Sequence, residues 1–307
     1  MSKQGCAYKY CILRYLPVLI ILVGCIILSS GLSFASGQSE AEKLKVFVSI
    51  LPQKFFVEKI AGDKAEVFVL VGPGQSPATY EPLPKQMLAL ARASLYFRIG
   101  VPFETAWCDK IRELNPRLVV IDTGEGIELR EIEGSYNKGG LGGDNQGIKD
   151  PHIWLDPLLV KIQSQTICRG LSAADPKNEE SYKRNLEAFL GELEGLHREL
   201  KSIFCGLAVK KIIVFHPAWG YLADRYSLEQ IPVELGGREP GPKELVELVE
   251  LARREGIKVI FVQTQFNTEV ATAVAKAIGG KVVPIDPLAE DYLSNLLGIA
   301  QVVAKEN

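Results

Sequence analysis

Residues 175–206 read DPKNEESYKRNLEAFLGELEGLHRELKSIFCG, and this stretch decides the fold. Its apolar positions are Tyr182, Leu186, Phe189, Leu190, Leu193, Leu196, Leu200, Ile203 and Phe204. At about 100° per residue they fall into one stripe, so the segment is expected to be an amphipathic helix. Asp175 is placed to cap it, and Pro176 suits its first turn. A helix of about 28 residues would be about 42 Å long, enough to span a whole domain. Gly191 and Gly195 lie in its interior but no proline does, so no sharp kink is expected. His197 falls at the edge of the stripe and reads as a packing residue rather than a ligand.

On both sides of this helix short apolar runs alternate with helical patterns. Upstream, the runs at 46–50, 65–71, 95–99 and 118–121 read as strands, with helices such as 53–60 and 84–93 between them. Downstream, strands are expected at 212–215, 231–234, 259–262 and 281–285, and helices at 218–225, 242–255, 268–278 and 289–304. Such alternation implies parallel strands joined by right-handed crossovers. The expected fold is α/β, with two lobes, each a mainly parallel sheet flanked by helices, joined by one long rigid helix. The boundaries that follow are a signal peptide at 1–35, a linker at 36–45, a first lobe at 46–174, the bridging helix at 175–206 and a second lobe at 207–307. The pattern breaks at 124–149, where the Gly- and Asn-rich run 134–147 reads as a mobile surface loop.

The N-terminus points outside the cytoplasm. Lys3, Lys9 and Arg14 are the only charges in the first 35 residues, and 16–32 is almost wholly apolar. Ser33-Phe34-Ala35 puts small residues where a signal peptidase cuts. Leu22-Val23-Gly24-Cys25 offers a second reading, a lipoprotein site with Cys25 as the lipidated residue. An uncleaved anchor is a third, since the run approaches the roughly 20 apolar residues of a membrane span. The protein is thus expected to be exported, either periplasmic or lipid-anchored at Cys25. Losing three basic residues from a chain of formal charge −2 leaves a mildly acidic mature protein. No basic stripe remains, so nucleic acid is not an expected partner. Cys108, Cys168 and Cys205 match no zinc motif. A bridge between Cys168 and Cys205, and three buried thiols, are both open readings.

The chain has only three histidines, and two occupy sharply defined settings. His152 lies in DPHIWLDP (150–157) and His216 in IVFHPAWGY (213–221), while VPIDP (283–287) places Asp286 after another apolar run. In open α/β sheets ligands bind beyond the carboxyl ends of the strands. His216 and Asp286 each follow a strand of the second lobe, and His152 closes the first. An Asp-Pro pair is also an ordinary helix start, and Asp156-Pro157, Asp175-Pro176 and Asp286-Pro287 all qualify. The combination is more telling than any member, because two imidazoles and one carboxylate form a first-row metal ligand set. His152, His216 and Asp286 are therefore the candidate metal residues, meeting in the cleft between lobes.

Several long motifs, in order, carry a family resemblance. They are GQSPATYEP (74–82), PHIWLDP (151–157), Tyr182 with Asn185 on the long helix, FHPAWGY (215–221), GREPGPKEL (237–245) and DPL (286–288). With these the chain resembles the solute-binding proteins of bacterial metal-importing ABC transporters, in the zinc/manganese class with a rigid helical linker. The resemblance implies a monomer that binds a divalent metal ion and delivers it to a membrane permease. It places family ligands on His152, His216 and Asp286. His216 matches the zinc-type members, so zinc is the expected cargo, with manganese or ferrous iron as the alternative. The family's first ligand, usually His, falls on Ala78, and Gln263 stands where members often have Glu. Water or Glu81 could fill the position left by Ala78. The chain also lacks the His-rich stretch that many zinc members carry before the second ligand. A metal-dependent adhesion or interaction protein is a further reading. A zinc hydrolase is disfavoured, since neither His-Glu-x-x-His nor Gly-x-Ser-x-Gly occurs, and no enzymatic activity is expected.

Overall fold

The structure is a computed structural model that describes residues 43–132, 148–235 and 237–306. The signal region at 1–35, most of the linker and the Gly- and Asn-rich run 134–147 lie outside the described residues. Residues 43–307 form one compact unit. Among the described residues no helix is long and apolar enough to cross a membrane.

The first sheet contains β1 (Leu44–Val48), β2 (Ala65–Val69), β3 (Leu95–Arg98) and β4 (Val119–Asp122) in the order β2-β1-β3-β4. The second contains β5 (Lys211–Val214), β6 (Glu229–Pro232), β7 (Val259–Gln263) and β8 (Lys281–Ile285) in the order β6-β5-β7-β8. Every pairing is parallel. Helices α1 (Leu51–Ala61), α2 (Pro84–Leu90) and α3 (Pro102–Leu114) connect the first sheet. Then come α4 (Pro157–Ala174) and the long α5 (Glu179–Cys205), followed by α6 (Gly220–Tyr226), α7 (Pro242–Arg254), α8 (Glu269–Ala277) and α9 (Tyr292–Glu306). The expected strands are present within one or two residues at their ends. Both sheets share one topology, so each reverses direction between two central strands, β1 and β3 or β5 and β7. The crevice at such a reversal is where α/β sheets receive ligands.

Helix α5 has 27 residues and buries Tyr182, Phe189, Leu193, Leu196, Leu200 and Phe204. Its apolar stripe packs against α1 and α4 on one side and α6 and α9 on the other. A single apolar core consequently runs from Phe56 and Trp154 through Phe189 and Leu200 to Trp219, Phe261 and Tyr292. The helix starts later than the sequence implies. Asp175 makes no side-chain bond to the helix N-terminus, and Pro176–Asn178 form a separate 3-10 turn. The Asp175 carboxylate accepts instead, through Oδ2, from Asn178 Nδ2 and the Tyr182 hydroxyl (2.6 and 2.8 Å).

Cys168 and Cys205 are both free thiols. Cys168 shares a surface hollow with Glu179 and Lys183 near the start of α5. Cys205 ends that helix, about 33 Å further along its axis at the rise of an α-helix. No bridge can join them, since disulfide Cα atoms lie within about 7 Å. His197 behaves as a packing residue, with Nδ1 3.1 Å from the Tyr226 hydroxyl and its ring 5.6 Å from the Tyr226 ring.

Candidate metal centre

The fold brings His152 and His216 together, with ring centroids 5.2 Å apart. His152 reaches this point through a short sequence device. Asp150 folds back over Pro151, and its Oδ1 accepts from both the His152 backbone N–H (2.9 Å) and His152 Nδ1 (2.7 Å). His216 lies just beyond β5, beside the reversal between β5 and β7. Its Nδ1 is 2.9 Å from Glu234 Oε2, two residues past β6. A carboxylate can only accept, so each Nδ1 carries a proton, and in the neutral imidazole Nε2 is then the nitrogen with the lone pair. Outer-shell carboxylates of this kind fix the tautomer and raise the basicity of a metal-binding imidazole. Burial holds His152 below the ordinary imidazole pKa of 6.5, and Asp150 opposes that shift only in part. The ring is therefore neutral at neutral pH, as a ligand must be.

The surroundings of the two rings differ. Gln263, at the end of β7, clamps the His216 backbone: its Oε1 accepts from His216 N at 3.1 Å and its Nε2 donates to His216 O at 2.6 Å. Phe266 stacks on the His216 ring at 5.1 Å and 19°. Asp150, in contrast, is held from across the molecule. The Tyr221 hydroxyl donates to Asp150 O (2.8 Å), and Arg130 lies 3.7 Å from Asp150 Oδ2 and 3.1 Å from Asp224 Oδ2. Gly220 makes room for this arrangement, since a Cβ there would stand 1.2 Å from the Arg130 guanidinium.

Asp286 follows β8 directly, as expected. Its Oδ1 accepts from Gln265 Nε2 (2.8 Å) and from Leu288 N (2.9 Å). Trp154 secures the same loop by donating from Nε1 to Pro287 O at 2.8 Å. Asp286 is not drawn into one cluster with the histidines: among the described residues, no three His, Cys, Asp or Glu side chains gather closely enough to hold an ion. Ala78 and Glu81 are both exposed. Ala78, His152 and His216 all line one cavity of about 380 Å³. Buried Glu104 accepts from Ser49 Oγ, Ile99 N and Gly100 N and so pins the turn after β3, which contributes Gly100 and Val101 to the cavity wall.

Two supporting carboxylates escaped the sequence reading. Asp150 was legible in principle, because it stands two residues before His152 across a proline. Glu234 was not, because it lies 18 residues from His216 and reaches it only through the pairing of β5 with β6.

Two parallel-sheet lobes that share a pair of carboxylate-backed imidazoles define a bilobal ligand-binding protein. The chain belongs to the ZnuA family, described as zinc-uptake complex component A, periplasmic, whose model matches residues 46–305. It superposes on a crystal structure of ZnuA with a TM-score of 0.80 and 43% identity, over 86% of this chain and 99% of that one. It is 30% identical over 270 residues to the manganese ABC transporter substrate-binding lipoprotein PsaA of Streptococcus mitis, covering 84% of this chain and 82% of PsaA. It is 27% identical over 275 residues to the high-affinity zinc uptake system protein ZnuA of Bacillus subtilis, covering 86% and 85% of the two chains.

Proposed function

We propose that the protein captures a divalent transition metal, zinc first among them, between its lobes outside the cytoplasmic membrane. It then passes the ion to the permease of an ABC importer. The observation that carries this reading is the facing pair His152 and His216, each with Nδ1 held by a carboxylate and Nε2 left for an ion. Two neutral imidazoles suit zinc better than manganese or ferrous iron, which favour oxygen donors. Relatives named for zinc and for manganese both support the class of cargo.

Asp286 is the third ligand in this reading. Its Oδ1 is engaged by Gln265 and Leu288, so Oδ2 is the oxygen offered to the metal. The loop after β8 moves towards the histidine pair when the ion enters. With Ala78 in place of a fourth side chain, one position of a four-coordinate zinc stays open.

Metal analysis of protein purified without chelator, followed by calorimetric titration, tests the reading. One zinc per chain is expected. Equal zinc affinity in wild type, His152→Ala and His216→Ala would remove this site from consideration.

A further inference from the structure

We propose that the site takes its metal as a complex with a small bidentate amino-acid chelator, whose body fills the cavity beside Ala78. This rests on the reading of His152 and His216 as a metal site. The first argument is size. The cavity holds about 380 Å³, against roughly 30 Å³ for each water in the liquid, and it falls in the range of roughly 300–1,000 Å³ typical of small-molecule sites. A lone ion with its waters leaves most of that space filled by loose water.

The second argument is the character of the walls. Pro77, Ala78, Val101, Pro102, Phe266 and Leu288 contribute largely apolar surface. Water against such walls loses hydrogen bonds, and an organic group that displaces poorly ordered water gains affinity.

The third argument is charge and coordination. Asp150 and Glu234 offset the charge of the ion only through the rings they back, so its remaining coordination positions still take donors. Asp286 offers a single oxygen, since its other is held by Gln265 and Leu288. A chelating amino acid brings a carboxylate of its own. Two donors from such a ligand complete four-coordination around two imidazoles, or five if Asp286 joins, and zinc accepts both.

Two polar groups at the cavity match the remainder of the ligand. Lys149 lines it and has no ion pair among the described residues, so its ammonium can receive the ligand carboxylate. Gln265 also lines it, and its Oε1 is buried with no hydrogen-bond partner among the described residues. An N–H from an amine or ring nitrogen of the ligand would satisfy that oxygen, while Gln265 Nε2 stays on Asp286. Free L-histidine has all of these features and is the probe of choice.

Native mass spectrometry and calorimetry in a non-coordinating buffer, with zinc sulfate alone, L-histidine alone and the two together, provide the test. The expected result is that histidine binds only with zinc, giving a species with one zinc and one histidine per chain. Lys149→Gln should weaken histidine uptake about tenfold, roughly 1.4 kcal/mol, while binding of zinc alone is unchanged. Thr105→Trp, at an exposed position that lines the cavity, should fill it and abolish the ternary species while zinc still binds. Zinc binding that never carries histidine, even in excess, overturns the proposal and leaves the metal site standing. Absence of zinc binding under every condition overturns both.

Discussion

His152 is backed by Asp150 and, through it, by Tyr221 and Arg130, which tie the two lobes together. His216 is backed by Glu234, Gln263 and Phe266, all from its own lobe. The difference assigns two tasks to one ligand type. His216 is held in place whatever the other lobe does. Asp150, which orients His152, is bonded to Tyr221 of the other lobe, so the proposed metal site and the lobe interface share residues. The remaining cross-lobe bonds point the same way: Arg225 pairs with buried Asp156 at 2.8 Å, Trp154 holds Pro287, and Lys54 pairs with Glu290.

The sharpest way to break the comparison is to remove each ring. His152→Ala and His216→Ala are each expected to lower zinc affinity at least about tenfold, or roughly 1.4 kcal/mol, by calorimetry. Removing the backing carboxylates separates the two environments. Asp150→Asn and Glu234→Gln should each weaken zinc by about 10–100-fold, as loss of outer-shell partners does. Only Asp150→Asn should also lower the thermal midpoint of the metal-free protein appreciably, because Asp150 is fully buried beside Arg130. Equal midpoints in the two variants would show that the interface does not run through Asp150.

Adding a ligand should act in the opposite direction. Ala78→His is expected to tighten zinc binding by about tenfold, measured against the same competitor. No gain would mean that another group already fills that position. The pH dependence of His152 tests burial against charge. With its pKa depressed below 6.5, the folded state binds fewer protons than the unfolded state as acid is added. Its contribution to stability is therefore complete above the ordinary value and declines as pH falls below it. An NMR titration of the metal-free protein should place the His152 midpoint below 6.5; a midpoint above that would show that the pull of Asp150 prevails.

The smallest expected effect is on lobe orientation. The continuous core along α5 should confine motion to the loop after β8 and its neighbours, so spin-label distances across the lobes should barely change with zinc. Closure by tens of degrees, as in hinge-type binding proteins, would show that α5 does not act as a rigid strut.

Much of this was legible before any coordinates. Short apolar runs placed eight strands and a 3.6-residue period placed the long helix, because burial is written directly into residue order. The phrases around His152 and His216 marked both rings as strand-end or turn residues. Boundaries were less legible: Asp175 had the composition of a cap, yet its carboxylate is taken by Tyr182, a partner seven residues away. The cysteines show the same limit, since residues near the ends of successive helices end up at opposite ends of α5.

The order of apolar and polar residues was thus enough by itself to determine two parallel α/β lobes and a long bridging helix, with one histidine just past a strand and another in a turn. Which side chains stand around those histidines was decided only by tertiary structure. Glu234 meets His216 because β6 pairs with β5, Tyr221 meets Asp150 because α6 crosses to the first lobe, and Gln265 holds Asp286 because of how the loops after β7 and β8 pack. Local pattern records which residues avoid water, whereas a hydrogen bond between distant residues depends on register and packing that no short window of sequence contains.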